Sequence, residues 1–280
     1  MASFQVMNNE IVISYPDAEN QIIEIEERQQ VIAELTKFSK NFQTDELDLP
    51  CISEGVFGYS GYNAVRYFED VEINDFEASD DREIPDMIYF VYRHIVAFNH
   101  FNSDLYIIDH QQEEQDSQID LLEGYINKKE YASYNFNTVG NERSNFTDDE
   151  FLTILQKGID HCQRGDVFQI VLSRRFNQKF EGDEFNVYRS LRSVNPSPYL
   201  FFFDFGNFKI FGSSPEAQIV VKNRKATIHP IAGTFKRTGN DSEDYRLSKK
   251  LFDDPKENSE HIMLVAVSYT HLTLPTTPYV

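Results

Sequence analysis

The sequence predicts an α+β fold built on antiparallel sheets, and two observations support this. Strand-like runs rich in β-branched and aromatic residues follow one another along the chain instead of alternating with helices, which disfavours a doubly wound fold. Apolar residues make up 40% and aromatic residues 14% of the 280 residues, so the chain can bury a core. This composition excludes a disordered acidic protein.

The first half of the chain is predicted to hold mostly short strands. One helix is predicted over residues 27–42. Its apolar face is formed by Val31, Ile32, Leu35 and Phe38. Residues 130–146 are polar, and we expect them to connect two layers. The strand-like runs cover 11–14, 21–26, 87–101 and 104–109.

The second half carries clearer boundary signals. Thr147 and Glu150 have the spacing of a capping box, and Gly165 lies where a left-handed helix end is needed, so a helix is predicted between them. A strand is predicted over Val167–Phe176 and a helix over Glu184–Val194. Further strands are predicted at 199–205, 208–212, 216–222 and 225–230, a loop at 231–239, and helices at 242–252 and 255–266.

Charge is distributed unevenly. The formal net charge is −20, which argues against a nucleic-acid binder. Residues 1–150 carry 9 Lys and Arg against 32 Asp and Glu, whereas residues 151–280 carry 17 against 14. The two halves are therefore expected to do different jobs.

The N-terminal sequence, the lack of a long apolar stretch and the low cysteine content indicate the cellular compartment. The N-terminus lacks the basic region and unbroken apolar core of a signal peptide, and no stretch approaches the roughly 18 apolar residues of a membrane span. Cys51 and Cys162 are too few for a disulfide framework or a thiolate metal site. We therefore expect a cytoplasmic protein with no membrane partner.

The first candidate site opens the last predicted helix. Asp254 and Pro255 suit the N-cap and the first helical position. Glu257 and Glu260 then share one face, and two carboxylates on one face suit a hard cation such as Mg²⁺. The alternative is a capping role, because acids near a helix N-terminus are favourable without any metal. Spacing alone favours capping.

The second candidate is the loop 230–239. Gly233 lets a backbone N–H approach a ligand, Thr234 adds a hydroxyl, and Lys236 and Arg237 add positive charge, which together suit a carboxylate or a phosphate. The spacing is neither a Walker loop nor G-x-G-x-x-G. A surface turn between a strand and a helix is the alternative.

The third candidate is the segment from Asn195 to Tyr199. Pro196 and Pro198 fix the loop and leave preset hydrogen-bonding groups, although a rigid connection to a buried strand explains them equally well. Glu216 follows another tight turn and is a possible contact. No G-x-S-x-G elbow is present.

Six segments together resemble the large subunits (component I) of anthranilate synthases, in the chorismate-utilising enzyme family. They fall in the family's order over about residues 1–265. The resemblance implies two packed antiparallel sheets with flanking helices and the active site between them, here incomplete. The segments are FGYSGYNAVRYFE (57–69), RGDVFQIVLSRRF (164–176), NPSPYLFFF (195–203), GSSPEAQI (212–219), PIAGTFKRTG (230–239) and DPKENSEHIMLV (254–265).

The resemblance also implies catalytic roles. Gly233 and Thr234 match positions that bind chorismate. Glu260 matches a carboxylate that binds Mg²⁺, and this match reverses the preference for capping there. Glu257 matches a second acidic residue beside it, and Glu216 matches an active-site glutamate.

Further matches concern the inhibitor and the type of reaction. Asn195, Pro198, Tyr199 and Leu200 match part of a tryptophan feedback site. Sister enzymes that add water carry a general-base Lys where this chain has Gln169, and a neutral amide there fits ammonia as the nucleophile. Aminodeoxychorismate synthases usually carry Lys where this chain has Ala232, so both positions favour anthranilate synthase.

The reaction implied by the resemblance is the Mg²⁺-assisted conversion of chorismate and ammonia to anthranilate and pyruvate. Ammonia would come from a glutamine amidotransferase partner, component II, and tryptophan would be the feedback inhibitor. The runner-up readings are an aminodeoxychorismate synthase component I and a non-catalytic tryptophan-regulatory fragment.

The C-terminal end departs from the family pattern. From Val267 to Thr276 the chain matches a translated transposase sequencing adapter, and 267–280 is expected to be a non-native tail. We expect 1–130 to be an acidic framework and regulatory part and 131–266 to be the start of the catalytic region. The family's other Mg²⁺ glutamate would lie beyond residue 265, so the 280-residue polypeptide is expected to lack synthase activity.

Overall fold

The computed structural model describes residues 1–44, 49–71, 73, 82–112, 115–128 and 134–272, with side chains up to Val267. The chain forms two compact units, Met1–Ala132 and Ser133–Val280.

Unit 1 is built on a five-stranded antiparallel sheet. Its strands lie in the order β3-β2-β1-β5-β4, and every pairing is antiparallel. The strands are β1 (Ala2–Met7), β2 (Glu10–Ser14), β3 (Gln21–Glu24), β4 (Phe57–Ser60) and β5 (Met87–Val91). The sequence did not single out β1, although it is the central strand.

Helix α1 (Arg28–Lys40) supplies apolar side chains to the core that the sheet lines. Val31 and Phe38 are fully buried, and the Phe38 ring lies 5.8 Å from the Phe4 ring of β1. Leu35 packs at the edge of this core, but Ile32 is exposed. The predicted helix is confirmed, but Ile32 lies at the margin of its apolar face and is 37% exposed, because adjacent helical residues point about 100° apart.

The rest of unit 1 is more open. A 3₁₀ turn covers Tyr62–Tyr67, strands β6 (His94–Asn99) and β7 (Asp104–Asp109) form a two-stranded ribbon, and helix α2 spans Ile119–Lys128. The predicted run 87–101 is therefore divided between β5 and β6, which belong to different sheets.

The described residues of unit 2 form three two-stranded ribbons and four helices. Strand β8 (Phe136–Ser144) pairs with β9 (Phe176–Gly182), and helix α3 (Asp148–Arg164) lies between them in sequence. Next come helix α4 (Phe185–Val194), the hairpin β10 (Tyr199–Asp204) with β11 (Lys209–Ser214), and the hairpin β12 (Val220–Lys222) with β13 (Lys225–Thr227). Helices α5 (Asp241–Asp253) and α6 (Pro255–Leu272) follow the loop.

The predicted boundaries of α3 are confirmed. The Glu150 N–H donates to the Thr147 hydroxyl at 3.3 Å, and the Thr147 N–H donates to the Glu150 carboxylate at 2.8 Å. Gly165 has φ 81°, the left-handed conformation that ends a helix. The capping box also lowers the pKa of Glu150, because the Thr147 N–H stabilises its ionised form.

Two predictions in unit 2 are wrong. Residues 167–175 form no strand, since no described strand pairs with them, and β9 begins only at Phe176. The polar stretch 130–146 contains a strand, β8, instead of being only a connection. A two-stranded ribbon leaves much of both faces in solvent, so its strands need no apolar alternation.

Other boundaries differ by a few residues. Strands β12 and β13 are shorter than predicted and are joined by Asn223 and Arg224, whose positive φ values of 51° and 58° match a two-residue hairpin turn. Helix α6 continues to Leu272, beyond the predicted end at 266, through residues that include no Pro or Gly.

The predicted α+β class with antiparallel pairing is confirmed. In the described part of the chain, the strands group into one five-stranded sheet and four two-stranded ribbons. Among these same residues, no helix combines the length and apolar character that a membrane span requires.

Candidate functional site

The start of α6 is capped as the sequence predicted. The Asp254 carboxylate accepts hydrogen bonds from the N–H groups of Lys256 at 2.9 Å and Glu257 at 3.2 Å, and Pro255 occupies the first helical position. The Asp254 N–H donates to the carbonyl of Leu251 at 3.3 Å, so one residue ends α5 and begins α6.

Glu257 lies directly against the loop 230–239. A β-carbon at Gly233 would overlap the Glu257 carboxylate and lie 3.2 Å from its Cγ. Gly233 does not have a positive φ, so the requirement for glycine comes from space and not from backbone conformation. The structure therefore brings two of the predicted site residues together.

The hydrogen-bond partner of the Asp254 N–H decides how Glu257 acts at the helix start. A full capping box would have the Glu257 carboxylate accept from the Asp254 N–H, but that N–H donates to Leu251. Only the Asp254 half of the capping box is present. The Glu257 carboxylate is therefore free to face the loop.

Glu260 follows Glu257 by three residues and is partly buried on the same side of α6. Among the described residues, no group of three or more Asp, Glu, His or Cys side chains is arranged to hold a metal ion. The chemistry of Glu260 nevertheless suits Mg²⁺, because that ion prefers oxygen ligands and often takes only one or two from the protein.

The loop leaves Thr234 exposed and ties its own far end to α5. The Asp244 carboxylate accepts hydrogen bonds from the Thr238 N–H at 2.7 Å and the Thr238 hydroxyl at 2.8 Å, and Arg237 Nε lies 3.4 Å away. These contacts lower the pKa of Asp244, and the Thr238 N–H contributes most. An open cavity of 420 Å³ lies between Phe235–Arg237 and α5.

Asn195 ends α4 and lies beside the hairpin β10–β11. Its N–H donates to Leu191 at 2.8 Å, and its carbonyl accepts from the Ser213 hydroxyl at 2.6 Å. Pro198 and Tyr199 are exposed and Leu200 is partly buried, at the point where β10 begins.

Glu216 lies just past the same end of that hairpin. Tyr199 pairs with Ser214, whose hydroxyl donates to the Glu216 carbonyl at 3.0 Å. The Glu216 side chain is partly buried. Residues 195–200 and Glu216 are thus neighbours, which sequence separation alone did not indicate.

Aromatic packing fixes this hairpin on α4. Phe202 of β10 stacks on Phe211 of β11 with ring centroids 5.7 Å apart, and Tyr188 of α4 lies 5.4 Å from Phe202. An ion pair between Glu184 and Lys209 joins the start of α4 to β11. That pair lowers the pKa of Glu184 and raises the pKa of Lys209, since each charge stabilises the other.

Gln169 is exposed in the segment 167–175, which forms no helix or strand. Its neighbours Ile170 and Leu172 pack on α3, where a β-carbon at Gly158 would lie 3.6 Å from Ile170 Cγ2 and 3.1 Å from Leu172 Cδ1. Ile170 and Leu172 therefore face the helix, whereas Gln169 is exposed. The described contacts do not join Gln169, the Asn195–Glu216 group and the Gly233–Glu257 pair to one another.

The segment that begins the resemblance, 57–69, forms strand β4 followed by the 3₁₀ turn. The Tyr59 hydroxyl donates to the Pro85 carbonyl at 2.9 Å, and burial, with Asp86 adding to it, raises its pKa to about 12. Tyr62 is exposed. Tyr59 is thus engaged within unit 1.

Sequence reasoning missed Asp244. The available signal was an acid in the first turn of a helix directly after the Thr238–Gly239 turn, but acids are common there for reasons of helix stability alone. Its loop-binding role becomes visible only from the distances.

Comparisons with known proteins point in one direction. The family model described as chorismate binding enzyme matches residues 4–274. Anthranilate synthase component 1 of Aquifex aeolicus is 36% identical over 231 residues, which is 78% of this chain and 46% of that protein. The Lactococcus lactis protein of the same name is 36% identical over 232 residues, covering 79% of this chain and 50% of that protein.

A solved structure agrees. The crystal structure of anthranilate synthase component I from Streptococcus pneumoniae matches with a TM-score of 0.68 and 27% identity, over 96% of this chain and 59% of that one. The chain spans about half the length of the curated relatives that it matches.

Proposed function

The chain belongs to the chorismate binding enzyme family, and from that membership we propose that it is part of an anthranilate synthase component I. The complete enzyme would convert chorismate and ammonia to anthranilate and pyruvate in tryptophan biosynthesis. The observation that carries the proposal is the contact between Gly233 of the loop and Glu257 of α6, because it brings the loop proposed to bind chorismate against the helix that carries Glu260.

Gly233 and Thr234 would bind chorismate. The loop leaves Thr234 exposed, so its hydroxyl can donate to a carboxylate of the substrate. The Glu257 carboxylate fills the side-chain space at Gly233, so chorismate would reach Gly233 through its backbone N–H. Lys236 and Arg237 add a positive field that favours a dianionic substrate.

Glu260 would hold Mg²⁺ together with ligands from the substrate and water. A bound Mg²⁺ would position the ring carboxylate of chorismate and stabilise negative charge as the hydroxyl leaves. Glu257, packed against Gly233, would fix the position of the loop relative to α6. It would also add a second acidic group beside the metal.

Glu216 and Gln169 would complete the chemistry contributed by this chain. Ammonia is already a nucleophile and needs no base to generate hydroxide, so the neutral Gln169 side chain suits it. Glu216 is partly buried next to the hairpin end and would act on the reacting ring.

Asn195, Pro198, Tyr199 and Leu200 would contribute to a tryptophan site. The segment 195–199 is held by hydrogen bonds at Asn195 and by two prolines, so its hydrogen-bonding groups are positioned before a ligand arrives. Residues 1–130 would serve as framework for regulation, and 131–266 would begin the catalytic region.

The complete enzyme would act in the cytoplasm. A glutamine amidotransferase subunit, component II, would supply ammonia from glutamine.

An assay of the whole gene product with chorismate, Mg²⁺ and ammonium tests the proposal. Anthranilate, detected by its fluorescence, is the expected product, and the 280-residue chain alone is expected to form none. Formation of 4-amino-4-deoxychorismate would instead identify an aminodeoxychorismate synthase. Tryptophan binding without any product would favour a regulatory fragment.

A further inference from the structure

Helix α5 holds the loop 230–239 at two places. The Lys250 ammonium lies 5.8 Å from the centroid of the Phe235 ring, within the range of a cation–π contact. Six residues earlier on the same helix, Asp244 binds the end of the loop. The loop residues in these contacts, Phe235 and Thr238, come after Thr234 in the chain. The contacts therefore hold the part of the loop that leads away from the proposed chorismate contacts.

The Asp244 contact is the stronger of the two. Its Oδ1 accepts two hydrogen bonds from Thr238, at 2.7 Å from the N–H and at 2.8 Å from the hydroxyl. The Asp244 side chain is 12% exposed, so these charge-assisted bonds are partly shielded from water. Arg237 is 84% exposed, and its ion pair with Asp244 at 3.4 Å contributes little.

Local sequence explains why Asp244 faces the loop. The Asn240 side chain caps α5 by accepting from the N–H groups of Ser242 and Glu243, each at 3.1 Å. The Asp244 N–H donates to the Asn240 carbonyl at 2.8 Å, which places Asp244 in the first turn. Gly239 has φ 82° and turns the chain so that Thr238 lies over that turn.

The other end of the loop is held by α6. Gly233 lies against the Glu257 carboxylate, so Thr234 is located between an anchor on α6 and an anchor on α5. Such a double attachment limits the positions that Gly233 and Thr234 can adopt. Preorganisation of this kind lowers the entropy lost when a ligand binds.

We propose that Asp244 is a positioning residue that fixes the loop 230–239 in the conformation that binds chorismate. This inference rests on the proposed function for its ligand but not for its geometry. Asp244 itself would not touch the substrate.

Hydrogen exchange of the 280-residue chain, read by mass spectrometry, tests the geometry. In Asp244→Ala, amides of the loop 230–239 are expected to exchange about tenfold faster or more, because hydrogen bonds to a charged group are lost. Asp244→Asn keeps one accepting oxygen and should recover part of the protection. Asp253→Ala, at the exposed far end of α5, is the matched control and should leave loop exchange unchanged.

Chorismate binding, measured by calorimetry on the whole gene product carrying the same substitutions, tests the consequence. Asp244→Ala should raise the Kd about tenfold, and Asp253→Ala should not change it. Unchanged loop exchange in Asp244→Ala would overturn the proposal, as would equal loss of protection throughout α5, because that would mark a general helix defect. Faster loop exchange in Asp244→Ala, together with no chorismate binding by the wild-type whole gene product, would support the positioning contact and count against the proposed function.

Discussion

The carboxylate of Glu257 occupies the space that a side chain at Gly233 would need. Two separate segments, the loop 230–239 and the first turn of α6, therefore meet at a point where a larger side chain at position 233 would have to displace Glu257. This relationship has a direct consequence for substitution.

Gly233→Ala is expected to displace the Glu257 side chain while the fold survives. The backbone conformation permits alanine, and the clashing atoms belong to the end of a flexible side chain, so the free energy of unfolding should fall by only about 1 kcal/mol. The loss of chorismate-binding free energy should be much larger than the loss of unfolding free energy. Urea denaturation and calorimetry measure the two effects.

The control for this prediction is a double-mutant cycle with Glu257→Ala. Truncating Glu257 removes the clash, so Gly233→Ala should cost less stability in that background than in the wild type. Equal costs in both backgrounds would mean that Gly233 and Glu257 do not touch.

Asp109 is predicted to be a stability determinant of unit 1. Its side chain is 1% exposed and accepts from Arg93 Nε at 2.8 Å and from the Gln118 N–H at 2.8 Å. The Arg93 bond holds its pKa well below the usual range. Asp109→Asn should lower the free energy of unfolding by about 2–3 kcal/mol at pH 7, measured by urea denaturation.

The same substitution has a pH signature. Because the folded-state pKa of Asp109 is depressed, its stabilisation is complete above the unfolded-state pKa, near 4, and is lost as the pH falls toward the lower folded value. Below about pH 4, Asp109→Asn should therefore approach the wild type. Glu19→Gln, at an exposed loop position, is the control, and a pH-independent difference for Asp109→Asn would contradict the assignment.

The capping box at Thr147 is expected to stabilise α3. Thr147→Ala removes the hydroxyl that accepts from the Glu150 N–H and should lower the free energy of unfolding of unit 2 by about 1 kcal/mol. Thr147→Ser keeps the hydroxyl and should stay near the wild type. Circular dichroism during urea titration measures both, and an equal loss in the two variants would argue against capping as the cause.

Much of the local structure followed from the sequence because its causes are local. The cap at Thr147, the left-handed end at Gly165 and the start of α6 at Asp254 each depend on residues within a few positions. Residues 167–175 were misassigned because a strand also needs a partner, and periodicity carries no information about partners. The sequence does not predict strand β8, because its polar residues pair with β9 without the apolar alternation that indicates a strand.

The sequence likewise predicted only part of the candidate site. The residue types in the loop and in α6 indicated an anion and a metal, and the packing of Gly233 on Glu257 supports a shared location. The role of Asp244 depends on the exact approach of Thr238 across a turn, which residue types do not encode. The proximity of Asn195 to Glu216 likewise depends on the pairing of β10 with β11.

The most direct test of the central claim is the Mg²⁺ dependence of anthranilate formation in the whole gene product carrying Glu260→Gln. A neutral amide is a weak Mg²⁺ ligand, so the Mg²⁺ concentration for half-maximal activity is expected to rise about tenfold or more, or activity is expected to be lost. Glu142→Gln, an exposed acid on β8, should leave it unchanged. Wild-type Mg²⁺ dependence in Glu260→Gln would contradict the account.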